Sequence, residues 1–190
     1  MEKKLRASLQ TAVTFLEKHG IRYAVIGGIA LSQWGVIRVT RDIDFKVLVP
    51  DTNYDNISSL LYKKFPEKAC LDIPENSLII SVIVDGVIAD FLLTIPGYEE
   101  LIIERAIRRD MGGWSLWICS AEDLIIQKAI AGRERDWPDI EALLIEQHAK
   151  LDDKYIENWL SQFSDALEDP EILAKYKRLM KKIQTLNQII

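Results

Sequence analysis

Residues 23–45 read YAVIGGIALSQWGVIRVTRDIDF, and this stretch decides the fold. A short apolar run over residues 21–26 has the pattern of a buried strand, and it ends in the pair Gly27-Gly28. A helical pattern follows the glycines directly, and residues 43–49 form a second apolar run, which predicts a second strand. The stretch therefore predicts a strand, a glycine turn, a helix and another strand.

Further helices and strands are indicated on both sides of this stretch. Apolar spacing predicts helices over residues 2–19, 54–65 and 98–109, and strands over residues 78–84, 87–93 and 114–118. Asp85-Gly86 lies between two runs rich in β-branched residues, which is typical of a hairpin turn. We therefore expect an α+β core over residues 1–118, with a small mixed β-sheet and flanking helices.

The remainder of the chain has a helical pattern throughout. Proline residues punctuate predicted helices near residues 120–132, 138–149, 152–167 and 171–188. Nothing between the two parts resembles a flexible linker. We therefore expect a helical C-terminal region over residues 119–190 that packs on the core.

Composition and charge restrict the class of protein. The chain has 190 residues, 48% of them hydrophobic, and a net charge of −5, which excludes a generally basic nucleic-acid binder. No apolar run approaches the ~20 residues that cross a bilayer, so we expect no membrane partner. Cys70 and Cys119 form no CxxC pair, and the N-terminal residues do not resemble a signal peptide. These features favour a cytoplasmic protein.

Two features of the opening stretch point to phosphate and metal chemistry. The glycine turn at Gly27-Gly28 exposes backbone N–H groups that can hold a phosphate. Asp42 and Asp44 are two residues apart on a strand, so their side chains share one face and repel each other unless a cation is present. Hard carboxylate oxygens suit Mg²⁺. A solvated strand edge, or pairing with Arg38 or Arg41, is the alternative explanation for this acidic pair.

A third carboxylate is expected nearby, and Asp90 is the candidate. It lies in the otherwise apolar strand over residues 87–93, where a lone acid is costly unless it is paired or binds a metal. Asp85 is the alternative, but its place before Gly86 is explained by the turn. A structural role for Asp90 stays open.

These residues resemble the nucleotidyltransferase superfamily, whose members share a polymerase-β-like fold. The matching residues are Gly27, Gly28, Asp42, Asp44 and Asp90. The context Arg38-x-Thr40-x-Asp42-Ile43-Asp44 is similar to the bacterial branch that includes the AbiEii-type toxins, and so are Lys128 and the motif Asp136-Trp-Pro-Asp139. The resemblance extends over residues 21–145.

The resemblance implies an enzyme that moves a nucleoside monophosphate from a nucleoside triphosphate to a hydroxyl of RNA, tRNA, a protein or a small molecule. It implies that Asp42, Asp44 and Asp90 hold Mg²⁺, and that Asp90 accepts the proton of the attacking hydroxyl. It also implies triphosphate contacts from Gly27, Gly28 and Lys128, a catalytic role for Asp136, and an antitoxin partner for a toxin.

One departure and several alternatives accompany this interpretation. Many members of the superfamily have serine where this chain has Gly28, so the serine hydroxyl is absent. Lys128 is alternatively a solvated helix lysine, and Asp136 and Asp139 are alternatively favoured by the dipole of a helix N-terminus. The protein as a whole is alternatively a non-catalytic nucleotide-binding module or a helical interaction protein.

Overall fold

The computed structural model describes residues 1–69, 78–147 and 150–187, so Cys70 lies outside the described residues. The helices are α1 (Lys3–Lys18), α2 (Gly27–Gln33), α3 (Tyr54–Lys64), α4 (Tyr98–Glu104), α5 (Ala121–Ala131), α6 (Asp136–Gln147), α7 (Asp153–Ala166) and α8 (Glu171–Asn187). The strands are β1 (Tyr23–Val25), β2 (Ile43–Val47), β3 (Ile79–Val84), β4 (Val87–Leu93), β5 (Ile107–Asp110) and β6 (Ser115–Ile118).

The six strands form one mixed sheet in the order β3-β4-β2-β1-β6-β5. Strand β2 is parallel to β4, and β1 is parallel to β6, whereas the other neighbours are antiparallel. The chain passes directly from β1 into α2, as the glycine pair predicts, and returns in β2 beside β1. The predicted α+β class, with a mixed sheet, is confirmed.

One face of the sheet carries the aromatic core of this part of the chain. Phe45 of β2 stacks on Phe91 of β4 with ring centroids 5.0 Å apart, and both side chains are fully buried. Phe65, at the end of α3, contacts both Phe91 and Phe15 of α1. The buried face of α1 supplies the apolar spacing seen in the sequence, so α1 and α3 cover this side of the sheet.

The opposite, more polar face of β2 and β4 carries charged side chains. Because successive side chains of a strand alternate between faces, Asp44 and Lys46 lie opposite to the aromatic side, as does Asp90. Lys46 is buried and forms an ion pair with Glu99 of α4. The apolar face anchors these strands, and the polar face presents their acidic side chains.

The helix predicted over residues 98–109 is wrong in its second half. Helix α4 ends at Glu104, and the chain then forms β5, which pairs with β6 in antiparallel register. The sequence of β5, IRRD, has no alternating pattern, and its side chains are mostly exposed. Pairing with β6 decides the conformation here, because local propensity favours neither state strongly.

The residues cluster into two compact units. The first contains Met1–Ala30 and Arg38–Cys119, and the second contains Leu31–Ile37 and Ser120–Ile190. In the second unit α5 to α8 pack around apolar side chains such as Leu124, Leu143 and Tyr176. The division at residue 118 and the packing of one half on the other stay predictions. No helix among the described residues is long and apolar enough to cross a bilayer.

Candidate active site

Asp44 and Asp90 are paired across two adjacent strands. They are register partners in the parallel pair β2 and β4, and both are half-buried. Neighbouring strands lie about 4.8 Å apart, so the two carboxylates are side by side on the polar face. Two negative charges at this separation repel each other, and a bound cation would offset that repulsion.

Asp42 lies one residue before β2 and is exposed. Its Oδ1 accepts a hydrogen bond of 2.8 Å from the Thr40 hydroxyl. Asp42 is therefore held by a neighbour from its own segment, whereas Asp44 and Asp90 are fixed by the sheet.

The glycine turn lies directly against Asp44. Gly27 has a φ of +62°, in the left-handed region that favours glycine. A Cβ atom at Gly27 would lie 2.0 Å from Oδ2 of Asp44 and 2.8 Å from its Cγ. Glycine is thus required twice here, once by the backbone conformation and once by the close approach of the carboxylate.

Gly28 lies against the side chain of Thr40, which belongs to the same segment as Asp42. A Cβ atom at Gly28 would lie 2.6 Å from Oγ1 and 2.7 Å from Cβ of Thr40. Both separations are shorter than real Cβ contacts. The space in which a serine side chain would begin is therefore filled by Thr40.

Ser81 is a contact of Asp90 that the sequence analysis missed. It is the register partner of Asp90 on β3, it is buried, and its hydroxyl donates a hydrogen bond to Oδ1 of Asp90. The signal in the sequence is a single hydroxyl residue inside the apolar run of β3. Which acid it would contact depends on the strand register, which the sequence does not reveal.

The carboxylates suit a metal ion that is bound partly by the protein and partly by the substrate. Among residues 1–69, 78–147 and 150–187, no group of three or more His, Cys, Asp or Glu side chains is placed to hold a metal ion, so Asp42, Asp44 and Asp90 do not form one ligand cluster. Mg²⁺ is commonly bound by one or two carboxylates together with substrate phosphates and water. The Asp44–Asp90 pair offers only such hard oxygen donors, as does Asp42 just before β2, and this donor chemistry fits Mg²⁺.

Lys128 and Asp136 form a buried ionic cluster within the helical unit. Nζ of Lys128 lies 3.0 Å from Oδ1 of Asp136 and 2.6 Å from Oδ2 of Asp139, and all three residues are buried. Nε of the exposed Arg133 side chain also lies 2.6 Å from Oδ2 of Asp136. Burial raises the pKa of Asp136, but hydrogen bonds from Arg133 and Lys128 outweigh it, and the pKa is lowered overall. Lys128 is therefore not a solvated lysine, and it joins α5 to α6.

Solved structures with a similar fold are distant in sequence. An antigenic nucleotidyltransferase-like protein from Paracoccidioides brasiliensis is 16% identical, with a TM-score of 0.59 over 93% of each chain. The antibiotic-resistance factor ANT(2'')-Ia is 13% identical, with a TM-score of 0.53 over 100% of each chain. A candidate nucleotidyltransferase from Thermotoga maritima is 16% identical, with a TM-score of 0.51 over 75% of this chain and 92% of its own. These similarities establish the fold.

The family follows from the sequence itself. No curated protein matches the chain significantly. A family profile does match, and the match begins in α1 and ends in α8, so it includes the glycine turn and the three carboxylates. The profile, which matches residues 5–179, is that of "Nucleotidyl transferase of unknown function (DUF2204)", and the chain belongs to this family.

Proposed function

We propose that this protein is an enzyme that transfers a nucleoside monophosphate from a nucleoside triphosphate to a hydroxyl acceptor. The observation that carries the proposal is the cross-strand pair of Asp44 and Asp90, with the Gly27 turn against Asp44. A half-buried acidic pair beside a turn that lacks side chains suits a charged ligand that brings metal ions with it. Membership of the nucleotidyl transferase family supports the same conclusion.

The three carboxylates have distinct roles in this proposal. Asp42 and Asp44 would hold Mg²⁺, and Asp90 would help to hold it. When bound, Mg²⁺ offsets negative charge on the triphosphate and on the departing pyrophosphate. Asp90 orients the acceptor hydroxyl and takes its proton as the oxygen attacks the α-phosphorus. The bond from the α-phosphorus to the bridging oxygen breaks, and pyrophosphate leaves.

The glycine turn is proposed to receive the phosphates. Gly27 lies against Asp44, and Gly28 lies against Thr40, whose hydroxyl binds Asp42, so the turn brings backbone next to the carboxylates. Their N–H groups are the donors assigned to phosphate oxygens. The triphosphate contact predicted for Lys128 and the catalytic role predicted for Asp136 stay predictions, and their buried ion pair gives them a competing structural role.

The acceptor is proposed as a class of hydroxyl compounds. The structural neighbour ANT(2'')-Ia has been solved in complex with adenylyl-2''-tobramycin. An aminoglycoside hydroxyl is therefore one acceptor to test, beside RNA, including tRNA, and protein hydroxyls. A toxin similar to the AbiEii type, acting in the cytoplasm and neutralised by an antitoxin, is a narrower form of the same proposal.

Transfer of label from nucleoside triphosphates tests the function. The purified protein is incubated with each of the four α-labelled nucleoside triphosphates, Mg²⁺ and one acceptor class at a time: total RNA, a cell lysate or an aminoglycoside mixture. We expect one nucleotide to label one acceptor class with release of pyrophosphate, and Asp42→Ala to abolish the label. Tight nucleotide binding without any transfer would instead support the non-catalytic alternative. Equal labelling by wild type and Asp42→Ala would contradict the assigned site.

A further inference from the structure

Gly28 is a glycine because of space and not because of backbone conformation. Unlike Gly27, it does not have a positive φ, so an L-residue would be tolerated by the backbone. The obstacle is Thr40, whose Oγ1 and Cβ lie 2.6 Å and 2.7 Å from the position of a Cβ at residue 28. Any side chain there, serine included, requires Thr40 to move.

Thr40 uses this position to hold a carboxylate. Its hydroxyl donates to Oδ1 of Asp42 at 2.8 Å and approaches the backbone carbonyl oxygen of Asp42 at 3.4 Å. Asp42 lies outside the ladder of β2, so the sheet does not fix its side chain in the way that it fixes Asp44. A β-branched residue is restricted about χ1, and this stiffness helps to keep the hydroxyl directed at the carboxylate.

We propose that Thr40 is a positioning residue for Asp42, and that Gly28 and Thr40 form one interlocked pair in which the glycine makes room for the threonine. The proposal deepens the proposed function and rests on it, because Asp42 is there assigned to Mg²⁺. In this chain the hydroxyl next to the glycine turn comes from residue 40. The superfamily resemblance leads one to expect a serine at residue 28, but the side chain of Thr40 leaves no room for it.

The proposal has an unexpected consequence for the serine substitution. Gly28→Ser restores the residue that many members of the superfamily have, yet here it displaces Thr40 and thereby releases Asp42. We therefore expect this substitution to weaken metal binding. Removing the side chain of Thr40 in the same protein should relieve the steric part of the defect, but it should not restore the positioning of Asp42.

Metal affinity tests the positioning role without any knowledge of the acceptor. Mn²⁺ binding is titrated by electron paramagnetic resonance in the presence of a non-hydrolysable nucleoside triphosphate analogue. We expect Thr40→Val, which keeps the shape and lacks the hydroxyl, to weaken Mn²⁺ binding about 10-fold or more, as the loss of partners of metal ligands commonly does. Thr40→Ser, which keeps the hydroxyl, should stay within about threefold of wild type. Wild-type affinity in Thr40→Val would overturn the positioning role.

Thermal unfolding tests the interlocked pair independently of metal and nucleotide. We expect Gly28→Ser to lower the melting temperature by roughly 2–10 °C when Thr40 is present, since overpacking is destabilising. The same substitution should lower it by much less in the Thr40→Gly background. Equal shifts in the two backgrounds would overturn the steric interlock.

The two measurements separate failure of this inference from failure of the proposed function. If the wild-type protein binds no Mn²⁺ with the analogue, both the proposed function and the positioning role are overturned, while the unfolding experiment still decides the interlock. If the wild type binds Mn²⁺ and Thr40→Val binds it equally well, the positioning role alone is overturned.

Discussion

Gly27→Ala perturbs the candidate site through a single methyl group. The new Cβ would lie 2.0 Å from Oδ2 of Asp44. The carboxylate must retreat by about 1.5 Å to reach an ordinary van der Waals separation. The left-handed backbone at Gly27 adds a conformational cost of about 1–2 kcal/mol for any residue with a Cβ. The substitution therefore acts on stability through the backbone and on the site through Asp44.

Gly20→Ala is the matched control for the backbone cost. Gly20 has a φ of +65°, close to the +62° of Gly27, but nothing lies within 4 Å of its Cβ position. The Gly20→Ala variant should lose about 1–2 kcal/mol of unfolding free energy, and its candidate site should stay intact. A misplacement near 1 Å in an active site can lower the reaction rate about 100-fold. We therefore expect Gly27→Ala to lower the rate by about this factor, and Gly20→Ala to leave the rate unchanged.

Two assays measure the difference between these variants. Urea unfolding gives the stability of each variant, and calorimetric titration of Mn²⁺ with a nucleoside triphosphate analogue gives the state of the site, even before an acceptor is known. Gly27→Ala should bind Mn²⁺ about as weakly as Asp44→Ala does, whereas Gly20→Ala should bind it like wild type. If Gly27→Ala and Gly20→Ala behaved alike in both assays, the close approach of Asp44 to the turn would have no functional importance.

Three further substitutions test other contacts of the two units. Lys128→Met leaves the carboxylates of Asp136 and Asp139 without their shared cation. It should lower the free energy of unfolding, measured in urea, by about 3–5 kcal/mol. Unchanged stability together with lost triphosphate binding would favour the predicted catalytic role of Lys128. The lowered pKa of Asp136 means that its stabilising contribution is present above its ordinary value of 3.8 and is lost as the pH falls through the folded value. The urea midpoint of wild type should therefore fall more steeply below about pH 4 than that of Asp136→Asn, and parallel curves would contradict this. Ser81→Ala removes the hydroxyl that donates to Asp90, so kcat should fall about tenfold while KM for the nucleotide stays unchanged. A change in KM alone would argue against a role of Ser81 in supporting Asp90.

The sequence predicted the elements that carry a strong local signal. The apolar runs around Gly27-Gly28 specify β1, the turn and β2, because burial of the strands and the conformational freedom of glycine act locally. Asp42 and Asp44 were expected to share one face of a strand, but β2 begins at Ile43, so the alternation within the strand applies to Asp44 and not to Asp42.

The contacts between elements were not predictable from local signals. That Asp44 and Asp90 are opposite one another depends on the register of β2 against β4, and the contact of Ser81 depends on the register of β3. The strand β5 was not predicted because its pairing with β6, and not a local pattern, decides its conformation. Register and pairing are tertiary properties, and a single sequence holds only weak evidence of them.

The burial of Lys128 was missed for a related reason. A lysine on an amphipathic helix is ordinarily exposed, and its two carboxylate partners lie 8 and 11 residues away on the next helix. Asp136 and Asp139 were explained adequately by their position in the first turn of a helix, so no local conflict revealed the cluster. The packing of α5 against α6 creates it.

Comparison of α-labelled and γ-labelled nucleoside triphosphate tests the central claim most directly. The protein is incubated with each labelled form, Mg²⁺ and the acceptor class that the label screen identifies, beside Asp44→Asn as the matched variant. We predict that the α-label enters the acceptor, that the γ-label appears only in pyrophosphate, and that Asp44→Asn transfers neither. Entry of the γ-label into the acceptor, or undiminished transfer by Asp44→Asn, would contradict nucleotidyl transfer at this site.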